Sequence, residues 1–508
     1  MHADIGDMPA AHSLSLSGKR PAHRGRKSLL NPALAVNADD MIEMGREGLD
    51  DSVRRGRSID RPSHSGAEPG PARELSLDLY RVSAVVIVVL GHWLASAVNY
   101  QDGHFVYLNV LVEMPWTQWL TLIFQVVPVF FVVAGYANAA SWTRWRDTHG
   151  DRALDWIRHR VTTTLGPTTV YVAAALAVVG VLCGIGMGGT TVELGAWAIA
   201  MHLWFLPVYL ATVSLTPWLV SAHRRRGLAV LVALALCAAA IDIATLGAGV
   251  PVIGVANYLF VWTAIYQIGV AWFGGALTGR SPILLAAGAA ITLAALVWLG
   301  PYPVSMLGVP GQPVRNSSPP TIALLAFAAV QSGLLLAAAP AVTRWLQRSR
   351  WRRLLMVVNA NVMALYLWHM IAVVVVVLVG YPAHLIPRPT LGSGAWWLSR
   401  VVWVATLLAF TAAIMMLLST LRSRIQRRTR AIPVVALRAS SWLNALLLVV
   451  GTAIAAAALA QFAVAGFAPN GKFPALAALV YAAGVGLVAL SHSLTTPSRA
   501  HQTSSGRA

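Results

Sequence analysis

Residues 77–98 read LDLYRVSAVVIVVLGHWLASAV, and within that stretch Arg81 and His92 are separated by ten residues that are all apolar or small. A run of this length and composition is a membrane span. An ionisable residue at hydrocarbon depth costs about 2.5–3.5 kcal/mol on insertion scales, so it is expected to line a polar cavity or mark a reaction path. Helical rise puts the two side chains roughly 16 Å apart along the axis, with Arg81 at one membrane face and His92 past the midplane.

The rest of the chain extends that reading. Of 508 residues, 57% are hydrophobic and 11% charged, a composition that excludes a soluble or wholly disordered protein. The net charge of +19 raises nucleic acid as a partner. Residues 1–73, however, are nearly neutral, and the remaining basic residues fall in short clusters between apolar runs. That is the pattern of membrane topology, not of one basic folded surface, so no nucleic-acid partner is expected. Cys183 and Cys237 both lie in apolar runs and support neither a disulfide framework nor a zinc site.

Residues 1–73 lack periodicity and are rich in Ser, Pro, Gly, Arg and Asp, which predicts a disordered cytosolic tail. The first apolar run begins near residue 79 and is expected to be a retained signal-anchor. Twelve segments of spanning length follow, near 79–98, 118–140, 162–182, 198–220, 228–246, 257–278, 281–300, 320–341, 355–380, 397–420, 441–466 and 474–492. Arginines concentrate in alternate loops, at 144–160, 224–226, 280, 344–353 and 422–430, against only Arg315, Arg388, Arg400 and Lys472 on the other side. The positive-inside rule then predicts a multi-pass protein of the plasma membrane with both termini cytoplasmic, its outer loops short and Pro/Gly-rich.

In that orientation three histidines reach a similar depth in the outer half, provided their helices are neighbours: His92, His202 in HLWFLPVYL and His369 in LYLWHM. His202 and His369 each lie close to a Trp, which is also what an aromatic-belt residue looks like. Asp242, Tyr266 and Gln267 are further membrane-depth polar groups, and Asp242, near the outer end of its helix, suits a snorkelling or capping role better than a functional one. FQVVPVFFVVAGYANAASW, 124–142, carries Gln125, the helix-breaking Pro128 and Gly135, features of a cavity-lining helix or of close packing alone.

Together these segments resemble the membrane-bound acyltransferase 3 family, integral-membrane enzymes that O-acylate carbohydrates and other cell-envelope or secreted acceptors. Arg81 and His92 reproduce its Arg, ten residues, His pattern. FFVVAG, Phe130 to Gly135, is similar to its FFxxSG with Ala134 in place of Ser. HLWFLP, His202 to Pro207, and ALYLWHM, Ala364 to Met370, are similar to its (H)LWFL and YLxH segments. Four matches in the family's order over about 290 residues go beyond the coincidences that Leu-rich helices generate. The family's basic pair after its second helix is represented by Arg160, while its partner position is Thr163 or Thr164; Arg158 is the alternative, although on a helix it would face elsewhere.

The resemblance implies an all-α polytopic membrane fold. The expected organisation is a ten-helix acyltransferase domain at 74–430, followed by two extra spans at 431–495 and a disordered cytosolic tail at 496–508, additions that the resemblance does not explain. It implies no permanently bound cofactor, acyl-CoA as co-substrate with acetyl the expected group, and a carbohydrate or lipid-linked acceptor reached among membrane lipids. Arg81, Arg160, Arg144 and Gly135 would serve the donor. His92, Arg81 and His369 would serve catalysis, and His202, Trp204, Gln267 and Gln125 substrate binding. His92 would act as general base, with an acyl-histidine intermediate the competing chemistry. A secondary transporter is the rival class, although the first six segments show no repeat in the last six. A catalytically dead scaffold is disfavoured by retention of Arg81 and His92. No GxSxG, HExxH or Walker element stands in a plausible context.

Overall fold

A computed structural model describes residues 75–101, 104–428 and 441–493. The expected tails at 1–73 and 496–508, and Arg430 with the rest of the 429–440 connection, lie outside the described residues. The fold is an all-α membrane bundle. Its helices are α1 (Leu75–Ala95), α2 (Val127–His149), α3 (Ala153–Gly184), α4 (Phe205–Arg226), α5 (Ala229–Asp242), α6 (Asn257–Phe273), α7 (Ser281–Trp298), α8 (Ile322–Arg348), α9 (Arg352–Gly380), α10 (Gly394–Arg428), α11 (Ser441–Ala465) and α12 (Ala475–Ser493). Eleven spans among the described residues are long and apolar enough to cross a membrane, and the apolar stretch of α12, Ala475–Ser491, is shorter.

Three features were not expected from the apolar runs. An antiparallel hairpin, β1 (Ser96–Gln101) and β2 (His104–Asn109), follows α1 directly, with Ser96 opposite Asn109. A short helix, Thr190–Ala198, precedes the single turn Met201–Trp204 that leads into α4. The second span is discontinuous: a turn over Pro115–Leu120 and a short helix Thr121–Phe124 stop at Gln125 and Val126, and α2 restarts with Pro128 near its N-terminus. Non-helical backbone at membrane depth is tolerated where it faces a cavity, and Gln125 and Val126 do.

α1 is central, packed by α2, α8, α9 and α10. Its C-terminal carbonyls, which no helix turn can satisfy, are met by side chains. The Trp403 indole donates to the Trp93 carbonyl at 2.9 Å, the Ser96 hydroxyl to that of His92 at 2.6 Å, and Arg400 to that of Ser96 at 3.1 Å. The segment bearing His92 is thereby pinned to α10.

α2 and α6 cross at backbone contact. A Cβ at Gly135 would lie 2.1 Å from the Tyr266 carbonyl oxygen, and one at Gly269 would lie 1.9 Å from that of Val132. These small residues let the two backbones approach, as in membrane helix pairs generally.

Asp242 anchors the loop between α7 and α8. Its carboxylate accepts from the Asn257 amide at 2.8 Å, the Tyr302 hydroxyl at 3.1 Å and the Ile322 backbone N–H at 2.7 Å. Burial first, and then this carboxylate, raise the pKa of Tyr302, which keeps its hydroxyl protonated and donating. The loop between α7 and α8 is held in place through that network and through Asn316, which donates to the carbonyls of Pro303 and Ser305.

Candidate active site

The three histidines converge. Nδ1 of His369 is 2.7 Å from the Tyr366 carbonyl, which can only accept, so that nitrogen carries the proton. In the neutral ring Nε2 of His369 is then an acceptor, and it lies 2.9 Å from Nδ1 of His92. His92 therefore donates from Nδ1 and keeps its lone pair on Nε2. The Trp93 indole N–H also donates to the His369 carbonyl at 3.3 Å, tying α1 to α9 beside the pair. His369 is fully buried behind His92 and does not line the cavity.

His202 stands on the other side of His369, with ring centroids 5.1 Å apart. It is 2% exposed and lines the cavity. Neither ring nitrogen has a hydrogen-bond partner among the described residues. The turn that carries it is fixed by the Tyr366 hydroxyl, which donates to the His202 carbonyl. Among the described residues no group of ligating side chains is arranged to hold a metal ion.

One cavity of about 790 Å³ runs through this region, within the size range of small-molecule sites. At one end its wall includes Arg81, Asn138, Arg160, Thr163, Thr164 and Asn359; midway come His92, His202, Trp204 and Tyr366; at the other end Arg315, Ser317, Ser318, Trp396 and Trp397. Arg81 and His92, about 16 Å apart along α1 by helical rise, thus face one continuous space. Arg160 lies over the Trp156 ring at 5.5 Å, and its Nε has no hydrogen-bond partner among the described residues.

Other expected site residues lie elsewhere. Arg144 is exposed near the end of α2 and does not line the cavity, because its helical phase turns it outward. Gly135 is occupied by the α6 crossing and has no face toward the cavity. Gln267 is fully buried in α6 outside the lining. Gln125 does line the cavity, but its amide donates to the Met306 carbonyl at 3.4 Å, fastening the break before α2 to the α7–α8 loop. Arg158 cannot replace the missing basic partner of Arg160. It faces α12, bonded to Asp155 at 2.7 Å and to the Ser491 hydroxyl at 3.4 Å, while Thr163 and Thr164 stand at the cavity wall.

Asn138 and Asn359 are lining residues that sequence reading missed. Asn138 is one helical turn beyond Gly135, and an amide at membrane depth was the available signal. Asn359 donates to Asp78 at 3.1 Å, joining α9 to α1 near Arg81.

Residues 74–420 match the family model described as an acyltransferase domain, acyltransferase 3, which covers well over half of the chain. The chain belongs to the acyltransferase 3 family. It is accordingly an acyl-transferring enzyme of the membrane, and the transporter reading has no observation of its own. No curated protein and no solved structure matches it. The family match ends before α11 and α12, yet α11 packs against the turn carrying His202, and Ala463 and Val464 line the acyltransferase cavity.

Proposed function

We propose that this acyltransferase takes its acyl group from an acyl-CoA bound at the Arg81 and Arg160 end of the cavity and passes it to an acceptor hydroxyl presented to His92. The observation that carries the reading is the single cavity joining those arginines to a histidine whose Nε2 is left unprotonated by its bond to His369. Guanidinium groups pair with phosphate through charge-assisted, bidentate hydrogen bonds, which suits the phosphates of coenzyme A. The arginine-rich end is the cytosolic one by the positive-inside rule, where acyl-CoA is made, and the membrane is the plasma membrane.

In the reaction, Nε2 of His92 removes the proton as the acceptor oxygen attacks the thioester carbonyl carbon. The tetrahedral intermediate expels the thiolate by breaking the C–S bond, and the proton passes to sulfur to give coenzyme A. His369 acts through His92: its bond to Nδ1 fixes the tautomer and orients the ring, as a third group does in other nucleophile–base systems. His202, with unused hydrogen-bonding capacity, and Trp204 bind the substrate beside the base. The acceptor enters from the opposite mouth, where Trp396 and Trp397 offer aromatic faces and Ser317, Ser318 and Arg315 offer polar contacts to a carbohydrate or lipid-linked glycan.

The test is acyl transfer by the purified protein in lipid, given labelled acyl-CoA and a panel of envelope glycans and glycolipids, with His92→Ala alongside. Label appearing in an acceptor, and lost in the variant, is expected. Transfer that persists in the variant removes His92 from the chemistry.

A further inference from the structure

A second cavity of about 90 Å³ adjoins the first. His92, Ala95, Trp197 and Met201 stand in the walls of both. The rest of its lining is mainly apolar and comes largely from the elements that the apolar runs did not announce: Phe105 and Tyr107 of the hairpin, Leu194, Gly195 and Ala198 of the short helix, with Val373, Val374 and Val377 of α9 opposite; the recess is partly open. The Ser96 hydroxyl in its wall is already committed to the His92 carbonyl, so it does not recruit a polar ligand.

We infer that this cavity receives the hydrocarbon chain of the acyl group, and that it selects short-chain donors longer than acetyl, of the butyryl or isovaleryl class. The inference rests on the reading of acyl-CoA as donor and His92 as base. A thioester carbonyl placed beside His92 has its thiol side in the large cavity leading to Arg81, and its acyl side has this apolar recess within reach. An apolar cavity of about 150 Å³ holds a benzene ring. At that packing, 90 Å³ takes about three or four carbon atoms beyond the carbonyl. A membrane lipid chain is several times too long, and an acetyl methyl leaves most of the space unfilled. The chain enters with its thioester intact; the bonds made and broken are those of the transfer itself, with C–S replaced by C–O.

The experiment is equilibrium binding of coenzyme A and of S-ethyl-, S-butyl- and S-octyl-coenzyme A, thioethers that cannot be hydrolysed, to the purified full-length protein in lipid nanodiscs. Each methylene buried in an apolar site adds about fourfold to affinity, so S-butyl is expected to bind about tenfold or more tighter than S-ethyl, with S-octyl no tighter than S-butyl. Ala198→Leu, which fills the cavity, is expected to erase the S-butyl preference while S-ethyl affinity stays as in the wild type. Val377→Ala, which enlarges it, is expected to move the preference toward S-octyl. If affinity ignores chain length while coenzyme A still binds, the chain cavity is overturned and the donor reading stands. Affinity that climbs steadily to S-octyl overturns the short-chain limit. Binding of none of the four overturns the donor reading and the inference with it.

Discussion

Nδ1 of His92 lies 2.9 Å from Nε2 of His369, and the two rings lie nearly coplanar and edge to edge, with centroids 5.2 Å apart and planes inclined by 7°. The bond joins α1 to α9 across 277 residues of chain. It converts two histidines on separate helices into a directed pair, with the proton of each Nδ1 pointing away from the cavity.

The first prediction concerns that direction. His369→Ala removes the acceptor that fixes the His92 tautomer, and the turnover number is expected to fall about 10–100-fold, less than the 10²–10⁴ that a general base itself contributes. KM for acyl-CoA should stay within about twofold, because His369 does not line the cavity. His369→Gln, whose amide oxygen can accept from His92, should recover part of the loss. A rise in KM with unchanged turnover would place His369 in binding instead of positioning.

The donor end gives the opposite signature. Arg81→Ala and Arg160→Ala are expected to raise KM for acyl-CoA about tenfold or more each, since a hydrogen bond to a charged group contributes about 1.5–3 kcal/mol. Arg144→Ala, exposed and off the cavity wall, should leave it unchanged. Steady-state kinetics with varied acyl-CoA separates the three, and an Arg144 effect equal to that of Arg81 would contradict the cavity assignment.

These contrasts mark how far the sequence could be read. Arg81, His92, His202 and His369 stood out because ionisable groups at hydrocarbon depth are costly, and cost is visible in one dimension. Their convergence was conditional on helix neighbourhood, which loop charges do not supply. Gly135 was ambiguous because close packing and cavity lining both select a small residue, and only the Tyr266 carbonyl 2.1 Å from its missing Cβ decides between them. Arg144 looked like a donor residue by position in the chain, but helical phase turned it to the outside; Arg158, whose helical position already pointed elsewhere, faces α12. The hairpin at 96–109 and the helix at 190–198 are too short to imprint a period on mixed apolar sequence, so the small cavity they build beside His92 was invisible.

The α2–α6 crossing yields a stability prediction. Gly269→Ala places a methyl where the Val132 carbonyl oxygen already sits, and overpacking of this kind costs about 1–3 kcal/mol. The variant is expected to unfold at lower temperature in a detergent melt and to lose activity through displacement of α2. Gly288→Ala, at a position on α7 with open space around it, is the matched control and should melt like the wild type.

The last prediction concerns α11 and α12, which lie beyond the family match yet touch its site. Phe467 follows α11, is fully buried against Phe462 and Tyr171, and its backbone N–H donates to the Ala196 carbonyl in the short helix before the His202 turn. Replacing a buried Phe by Ala costs about 3–5 kcal/mol, part of it as an unfilled cavity. Here the loss falls beside the turn that aims His202, so Phe467→Ala should reduce transfer more than it reduces acyl-CoA binding at the distant arginines. Phe467→Leu, which keeps most of the volume, should restore most of the activity. Equal loss of binding and transfer in both variants would mean that α11 and α12 only hold the bundle together, and transfer unaffected by either would detach them from the site.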